Sequence, residues 1–189
     1  MRPPGHHATA NLADGYCYFN NVAIAAKHYL NLNPTKKVAI IDWDIHAGDG
    51  TYDIFKSDPN VLTISTHRHD NGTYWPFGLK GHYSNIGVNE GTGYHIMLGL
   101  NGINGDFEFS EMFRTFISPM VREFKPDLII TSCGFDSALG DPLGVTFELT
   151  PNGYAYLTSE LMSMCEHVMV VLEGGYSLKN LSSCGLAIV

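Results

Sequence analysis

The sequence is short of cysteine and of basic residues, and each shortage limits what the protein can be. The four cysteines are widely spaced and form no CxxC pair, which excludes a tight disulfide framework and favours reduced thiols inside a cell. Lysine and arginine number 11 against 19 aspartates and glutamates, a net charge of −8. We therefore expect no direct nucleic-acid partner, whereas an acidic surface suits a cationic substrate or a basic tail.

The sequence also lacks a secretory signal, internal repeats and an apolar run long enough to cross a bilayer, so no membrane association is expected. Its 189 residues are 44% hydrophobic and 16% charged, which predicts a single globular domain over residues 1–189 with a sizeable core. The segment RPPGHH follows Met1 directly, as though the chain begins in mid-domain. The prediction is therefore one partial domain.

Strand-like and helix-like patterns alternate along the chain. Strands are predicted at 37–42, 61–66, 127–134 and 167–172, and helices at 18–31, 109–124 and 150–166. A long loop rich in glycine, histidine and aromatic residues is predicted from about 67 to 93. This alternation indicates an α/β fold with a parallel sheet flanked by helices, in which ligands bind beyond the carboxyl ends of the strands.

The stretch VAIIDWDIHAGDG, residues 38–50, is the first candidate site. Side chains alternate faces along a strand, so Asp42, Asp44 and His46 are expected on one side as the strand enters a glycine-rich loop. Buried carboxylates need a cation or hydrogen bonds, and a neutral imidazole beside them is a typical transition-metal ligand. An ordinary polar strand end is the alternative for this stretch alone.

Two further strands end in reactive groups, Asp136 in CGFDS and Tyr176 in LEGGY. Asp44, His46 and Asp136 then supply three protein ligands to one metal, which leaves a coordination position for water or substrate. Taken singly, Asp136 could cap a turn and Tyr176 could be a packed aromatic. Because these residues all follow strands of one parallel sheet, they are expected at the same edge of the sheet, which favours a catalytic site.

Five motifs then carry a family resemblance. They are RPPGHHA (2–8), DGYCYFNNVAIAA (14–26), DWDIHAGDGT (42–51), CGFDSALGDPLG (133–144) and LEGGYSL (172–178). In order and spacing they resemble the zinc-dependent histone deacetylase family, particularly its class II branch. The resemblance implies the arginase/deacetylase fold, a parallel β-sheet between helices in three layers, with a metal at the bottom of a narrow tunnel.

The resemblance also implies roles for individual residues. The catalytic Zn²⁺ would be held by Asp44, His46 and Asp136, although the residues leave Zn²⁺ and Fe²⁺ open. The protons would be moved by His6, oriented by Asp42, and His7, oriented by Asp49. Without the other motifs, the His6-His7 pair could be an exposed turn. Tyr176 would donate a hydrogen bond to the reacting carbonyl.

The tunnel and a second ion follow from the same resemblance. The tunnel wall would include Gly15, Tyr16, Trp75 and Leu143, although Tyr16 and Trp75 could equally be core or rim aromatics. A structural K⁺ would be held by Asp42, Asp44, His46, Ser65 and Thr66. The other histidines are expected at the surface or in loops: His28, His67, His69, His82 and His95.

The residues at four positions argue against related classes of enzyme. Two-manganese ureohydrolases need aspartates where this chain has Gly48 and Ala138. Acetylpolyamine hydrolases place a glutamate where this chain has Leu143, and the weakly active class IIa subgroup has histidine in place of Tyr176.

The resulting prediction is a protein lysine deacetylase, a metal-dependent amidohydrolase that releases acetate from acetyl-lysine in histone tails or other proteins. Corepressor-type partners and a nuclear or cytoplasmic location follow from the family. The alternatives are a catalytically inactive domain that binds zinc or acetyl-lysine and, less favoured, an acetylpolyamine amidohydrolase. Because the family's segment before the tandem histidines is missing, the fold is expected to be incomplete at its N-terminal edge, with the first strand exposing an edge.

Overall fold

The computed structural model describes residues 3–189, so Arg2 of the first motif lies outside the described residues. The strands are β1 (Val38–Asp42), β2 (Val61–Arg68), β3 (His95–Leu100), β4 (Asn104–Gly105), β5 (Leu128–Cys133), β6 (Phe147–Glu148) and β7 (Val168–Leu172). The helices are α1 (Asn21–Leu32), α2 (Asp49–Phe55), α3 (Asp106–Met112), α4 (Ser118–Phe124), α5 (Pro151–Met164) and α6 (Leu178–Ala187).

Five strands form a parallel sheet in the order β3-β2-β1-β5-β7. The predicted parallel sheet between helices is therefore confirmed. The expectation that the first strand exposes an edge is wrong, because β1 pairs with β2 on one side and β5 on the other. The edges of the described sheet are β3 and β7.

The sheet buries apolar side chains on both faces, as a parallel sheet requires. Successive residues of β1 point to opposite faces. Val38 and Ile40 pack with α1 and α2, whereas Ala39 and Ile41 belong to a larger core built with α3, α4, α5 and α6. The three layers follow from this alternation.

Side chains at the helix starts explain where α1 and α5 begin. Asn20 accepts a hydrogen bond from the backbone N–H of Ala23 at 3.0 Å, and Thr150 accepts one from Gly153 at 3.3 Å. Pro151 occupies the first turn of α5, where a missing N–H costs nothing. Thr150, the first residue of the helix predicted at 150–166, is thus the N-cap of α5.

Several elements differ from the sequence prediction. Part of the expected loop after DWDIH is the helix α2, and β3 and α6 had not been predicted. The helix expected at 109–124 begins at Asp106 and is interrupted by a π-helical turn, Phe113–Ile117. Among residues 3–189 the longest helix has 14 residues, and none combines the length and apolar character needed to span a bilayer.

Candidate active site

The polar motifs meet at the carboxyl ends of β1, β5 and β7. Asp42 is the last residue of β1, and the chain then turns through Asp44 and His46 before α2 begins at Asp49. The backbone N–H of Asp44 donates to Asp42 Oδ1 at 3.0 Å, and that of His46 donates to Asp44 Oδ1 at 2.9 Å. These local bonds fix the turn and aim its side chains across the rim of the sheet.

Asp44, His46 and Asp136 form a compact three-residue cluster. One potential ligand atom from each lies within 4.8 Å of the others. His46 Nδ1 is 3.1 Å from Asp44 Oδ1 and 3.3 Å from Asp136 Oδ2. Both carboxylates are buried, and His46 is nearly so. The structure thus brings together the three residues proposed as metal ligands.

The immediate surroundings of this cluster fit a cation. Asp136 Oδ2 is buried and accepts no hydrogen bond from the described residues. A Cβ atom on Gly174 would lie 2.2 Å from that oxygen and 2.7 Å from Asp44 Oδ2, so only glycine allows the approach. Two buried carboxylates with an unused oxygen and an imidazole nitrogen are a donor set suited to a transition metal with an open position.

The pKa values within the cluster reflect the same negative charge. Burial opposes the protonated form of His46, but the carboxylates of Asp136 and Asp44 raise its pKa to about 9. Burial and the neighbouring Asp44 raise the pKa of Asp136 to about 6. The carboxylates of Asp44 and Asp136 therefore favour positive charge at this position, which a bound metal ion would supply.

The tandem histidines lie beside this cluster, each with its own carboxylate. His6 Nδ1 is 2.8 Å from Asp42 Oδ2, and His7 Nδ1 is 2.8 Å from Asp49 Oδ1. The two imidazole ring centroids are 3.9 Å apart. Each of the two histidines therefore contacts one aspartate through Nδ1.

The two histidines differ in the direction in which their pKa values are shifted. Burial opposes a charged His6, yet the carboxylates of Asp44 and Asp42 raise its pKa well above the usual value. Burial and the charge on His6 lower the pKa of His7 to about 4, even though Asp49 acts in the opposite direction. Near neutral pH, His7 is therefore the neutral imidazole of the pair.

A cavity of about 400 Å³ reaches His46 of the cluster and is lined by all four predicted wall residues. Its lining is His7, Asp14, Gly15, Tyr16, His46, Trp75, Leu143 and Tyr176. The ring centroids of Trp75 and His7 are 4.4 Å apart, and those of Tyr16 and Tyr176 are 6.4 Å apart. A Cβ atom on Gly15 would lie 2.4 Å from the Trp75 ring, which explains glycine at this part of the wall.

The residues predicted to bind potassium lie on β1, on the turn that follows it and on the adjacent strand β2. Ser65 on β2 is paired in register with Asp42 on β1. Thr66 Oγ1 donates to the Asp42 carbonyl at 3.1 Å, while Ser65 Oγ accepts the Gly48 N–H at 3.3 Å. The side chains are thus adjacent to the turn that carries Asp44 and His46.

The surface or loop positions predicted for two histidines are wrong. His67 and His95 are completely buried, on β2 and β3, instead of lying at the surface or in loops. His67 bonds to Ser65 Oγ through Nδ1 and to the Gly81 carbonyl through Nε2, both within 3 Å. Partners at both nitrogens let the buried His67 imidazole stay neutral, and its pKa is lowered to about 4 by burial.

Sequence reasoning also missed Glu173, which holds the tandem-histidine loop. Its buried carboxylate accepts the backbone N–H groups of Gly5 at 2.6 Å and His6 at 3.2 Å, and the Ser132 hydroxyl at 3.1 Å. An acidic residue directly after the apolar strand β7 was the available signal. The contact connects the loop that carries the tandem histidines to the residue that follows β7.

Lys80 and Tyr74 were missed as well, because both belong to a loop without periodic pattern. Lys80 Nζ lies 2.9 Å from Asp49 Oδ2 and 3.7 Å from Asp14 Oδ2. Tyr74 packs against His46 with nearly parallel rings. Tyr74 therefore contacts the predicted metal ligand His46, and Lys80 contacts Asp49, the partner of His7.

A parallel sheet with carboxylates and imidazoles gathered at its carboxyl edge defines an α/β protein with a candidate metal centre. The family profile described as "Histone deacetylase domain" matches residues 1–189. The chain therefore belongs to the histone deacetylase family.

Individual relatives agree with the profile. The chain is 43% identical to "Histone deacetylase 6" of Caenorhabditis elegans, covering 100% of this chain and 20% of the relative, and 40% identical to "Polyamine deacetylase HDAC10" of Homo sapiens, covering 96% and 27%. The solved structure "Crystal Structure of HDA15 HD domain" superposes with a TM-score of 0.93 at 41% identity, covering 100% of this chain and 53% of that one. The arginase/deacetylase fold is thus confirmed, and the chain spans about a quarter of those two curated relatives.

Proposed function

We propose that this chain forms part of a zinc-dependent protein lysine deacetylase that hydrolyses the acetyl amide of N6-acetyl-lysine. The proposal rests on the cluster of Asp44, His46 and Asp136, because its member His46 lines a cavity that is also lined by His7 and Tyr176. A zinc ion held there would lower the pKa of a bound water to about 7 and polarise the substrate carbonyl.

The protein side chains would supply the remaining chemistry. His7 uses Nδ1 to contact Asp49, so Nε2 is left to take the proton from the attacking water and deliver it to the departing amine. Its lowered pKa keeps this nitrogen free of a proton near neutral pH. The Tyr176 hydroxyl would donate to the carbonyl oxygen as negative charge develops.

The cavity supports acetyl-lysine as the substrate. Tyr16 and Trp75 offer aromatic walls to an aliphatic lysine stem, and the net charge of −8 favours a basic peptide such as a histone tail. Leu143 at the rim offers no carboxylate to a charged polyamine. We therefore favour a peptide substrate over an acetylpolyamine, and histone tails, other proteins and corepressor-type partners remain predictions, as does a nuclear or cytoplasmic location.

A potassium ion is a further part of the proposal. Asp42 ends β1, and Asp44 and His46 lie on the turn that follows it. Ser65 and Thr66 lie on the adjacent strand β2, so oxygen ligands are concentrated here. Such an ion would stiffen the turn that carries the zinc ligands.

The test is hydrolysis of an acetyl-lysine peptide and of N-acetylspermidine, each with and without a zinc chelator. We expect chelator-sensitive turnover with a higher kcat/KM for the peptide, and Leu143→Glu should shift preference toward N-acetylspermidine. The matched variant Asp136→Asn should lose zinc and activity together. Zinc binding without chelator-sensitive turnover would support the inactive binding domain instead.

A further inference from the structure

The two ring nitrogens of His46 face different surroundings. Nδ1 points toward the Asp44 and Asp136 carboxylates, within 3.3 Å of each. Nε2 lies on the other side of the ring, 3.4 Å from the Tyr74 hydroxyl oxygen. The Tyr74 hydroxyl is in turn 2.9 Å from the backbone carbonyl oxygen of Leu143.

Metal binding would fix the direction of both hydrogen bonds. If Nδ1 of a neutral His46 binds a metal, its proton must be on Nε2, which then acts only as a donor. The Tyr74 hydroxyl can donate its own proton only to an acceptor, and the Leu143 carbonyl is one. The chain then runs from His46 Nε2–H to Tyr74 Oη and from Tyr74 O–H to the Leu143 carbonyl.

Packing holds the Tyr74 ring in place for this task. The rings of Tyr74 and His46 are 13° from parallel with centroids 5.4 Å apart. The guanidinium carbon of Arg68 lies 4.3 Å from the Tyr74 ring centroid, and Arg68 is itself paired with Asp70. Tyr74 is therefore fixed by its ring as well as by its hydroxyl.

We propose that Tyr74 is a positioning residue that orients the metal ligand His46 and ties it to the rim of the substrate cavity at Leu143. The inference deepens the proposed zinc site and rests on it. Partners of this kind set the tautomer and ring orientation of a metal-binding histidine. Because the Leu143 carbonyl is the last acceptor, the same hydroxyl also fixes a cavity-wall residue relative to the metal cluster.

The test measures zinc affinity directly, by competition with a chromophoric chelator, in the wild-type protein and in Tyr74→Phe. Phenylalanine keeps the ring packing and removes only the hydroxyl. Loss of such partners weakens metal binding by about 10–100-fold, and the long 3.4 Å contact places our expectation near 10-fold. The control is Tyr83→Phe in the same loop, whose side chain is exposed and whose zinc affinity should not change.

A second readout uses Co²⁺ in place of zinc. The visible absorption bands of bound Co²⁺ report ligand orientation, so Tyr74→Phe should shift them while Tyr83→Phe should not. Equal zinc affinities and identical Co²⁺ spectra for wild type and Tyr74→Phe would overturn the inference and leave the zinc site intact. A wild-type protein that binds neither metal would overturn the proposed function itself.

Discussion

His6 and His7 are neighbours in sequence with the same local partner geometry, yet they occupy different electrostatic environments. Each has Nδ1 at 2.8 Å from an aspartate. His6 Nε2 lies 3.6 Å from Asp44 in the candidate metal cluster, whereas His7 lines the adjacent cavity. The comparison teaches that the groups beyond a histidine–aspartate pair determine its chemistry, because the carboxylates around His6 raise its pKa, whereas burial and the charge on His6 lower the pKa of His7.

The largest expected effect separates the two histidines by substitution. His7→Ala should lower kcat/KM by about 10²–10⁴-fold, because it removes the neutral imidazole that faces the cavity. His6→Ala should cost less, since His6 does not line that cavity. Steady-state kinetics of the zinc-loaded proteins on an acetyl-lysine peptide provide the measurement, and a larger loss in His6→Ala would reverse the assignment.

The second prediction asks whether proton transfer alone accounts for catalysis. Tyr176→Phe should retain zinc and lower kcat by about 10²–10³-fold, because a donor to the developing oxyanion is lost. The zinc content of Tyr176→Phe should equal that of the wild-type protein. Turnover equal to wild type would remove the tyrosine from the mechanism.

The third prediction concerns the anchoring of His6. Glu173→Ala should lower the free energy of unfolding by about 1–3 kcal/mol, because the buried N–H groups of Gly5 and His6 lose their acceptor. Glu173→Gln keeps a carbonyl oxygen for both groups and is the matched control. Denaturant unfolding measures the difference, and equal stability of the alanine and wild-type proteins would contradict the anchoring role.

The smallest expected effect concerns Lys80, which pairs with Asp49, the carboxylate partner of His7. Lys80→Met leaves Asp49 uncompensated, which favours protonated His7 and raises its pKa. Since His7 must be unprotonated to accept a proton, the acidic limb of the kcat/KM profile should move to higher pH. We expect a shift of about half a pH unit, because the Lys80 side chain is half exposed and its charge is screened by solvent.

The control for that prediction is Lys27→Met, a similarly exposed lysine paired with Asp58 away from the site. The profile of this variant should match wild type. A limb that stays in place in Lys80→Met, or moves to lower pH, would show that Lys80 does not influence His7.

The sequence was most informative where polar residues follow apolar strands. Asp44, His46 and Asp136 could be grouped because parallel strands end at one edge of a sheet. The neighbours of β1 could not be foreseen, because strand order depends on pairings distant in sequence. The role of Glu173 could not be predicted for a similar reason, since it contacts Gly5, which is 168 positions away in sequence.

The loop between β2 and β3 was the hardest region to interpret. Tyr74 and Lys80 carry no periodic pattern, and their roles follow only from contacts with His46 and Asp49. His67 and His95 were misplaced because burial of a histidine depends on finding partners, here Ser65, Gly81 and Thr63. Local composition does not show such partners.

The most direct test of the account is a zinc titration of the metal-stripped protein during hydrolysis of an acetyl-lysine peptide. Activity should rise linearly and reach its maximum at one zinc per chain, because Asp44, His46 and Asp136 form one three-ligand cluster. Activity that is absent throughout the titration, or that persists without metal, would contradict a zinc-dependent deacetylase.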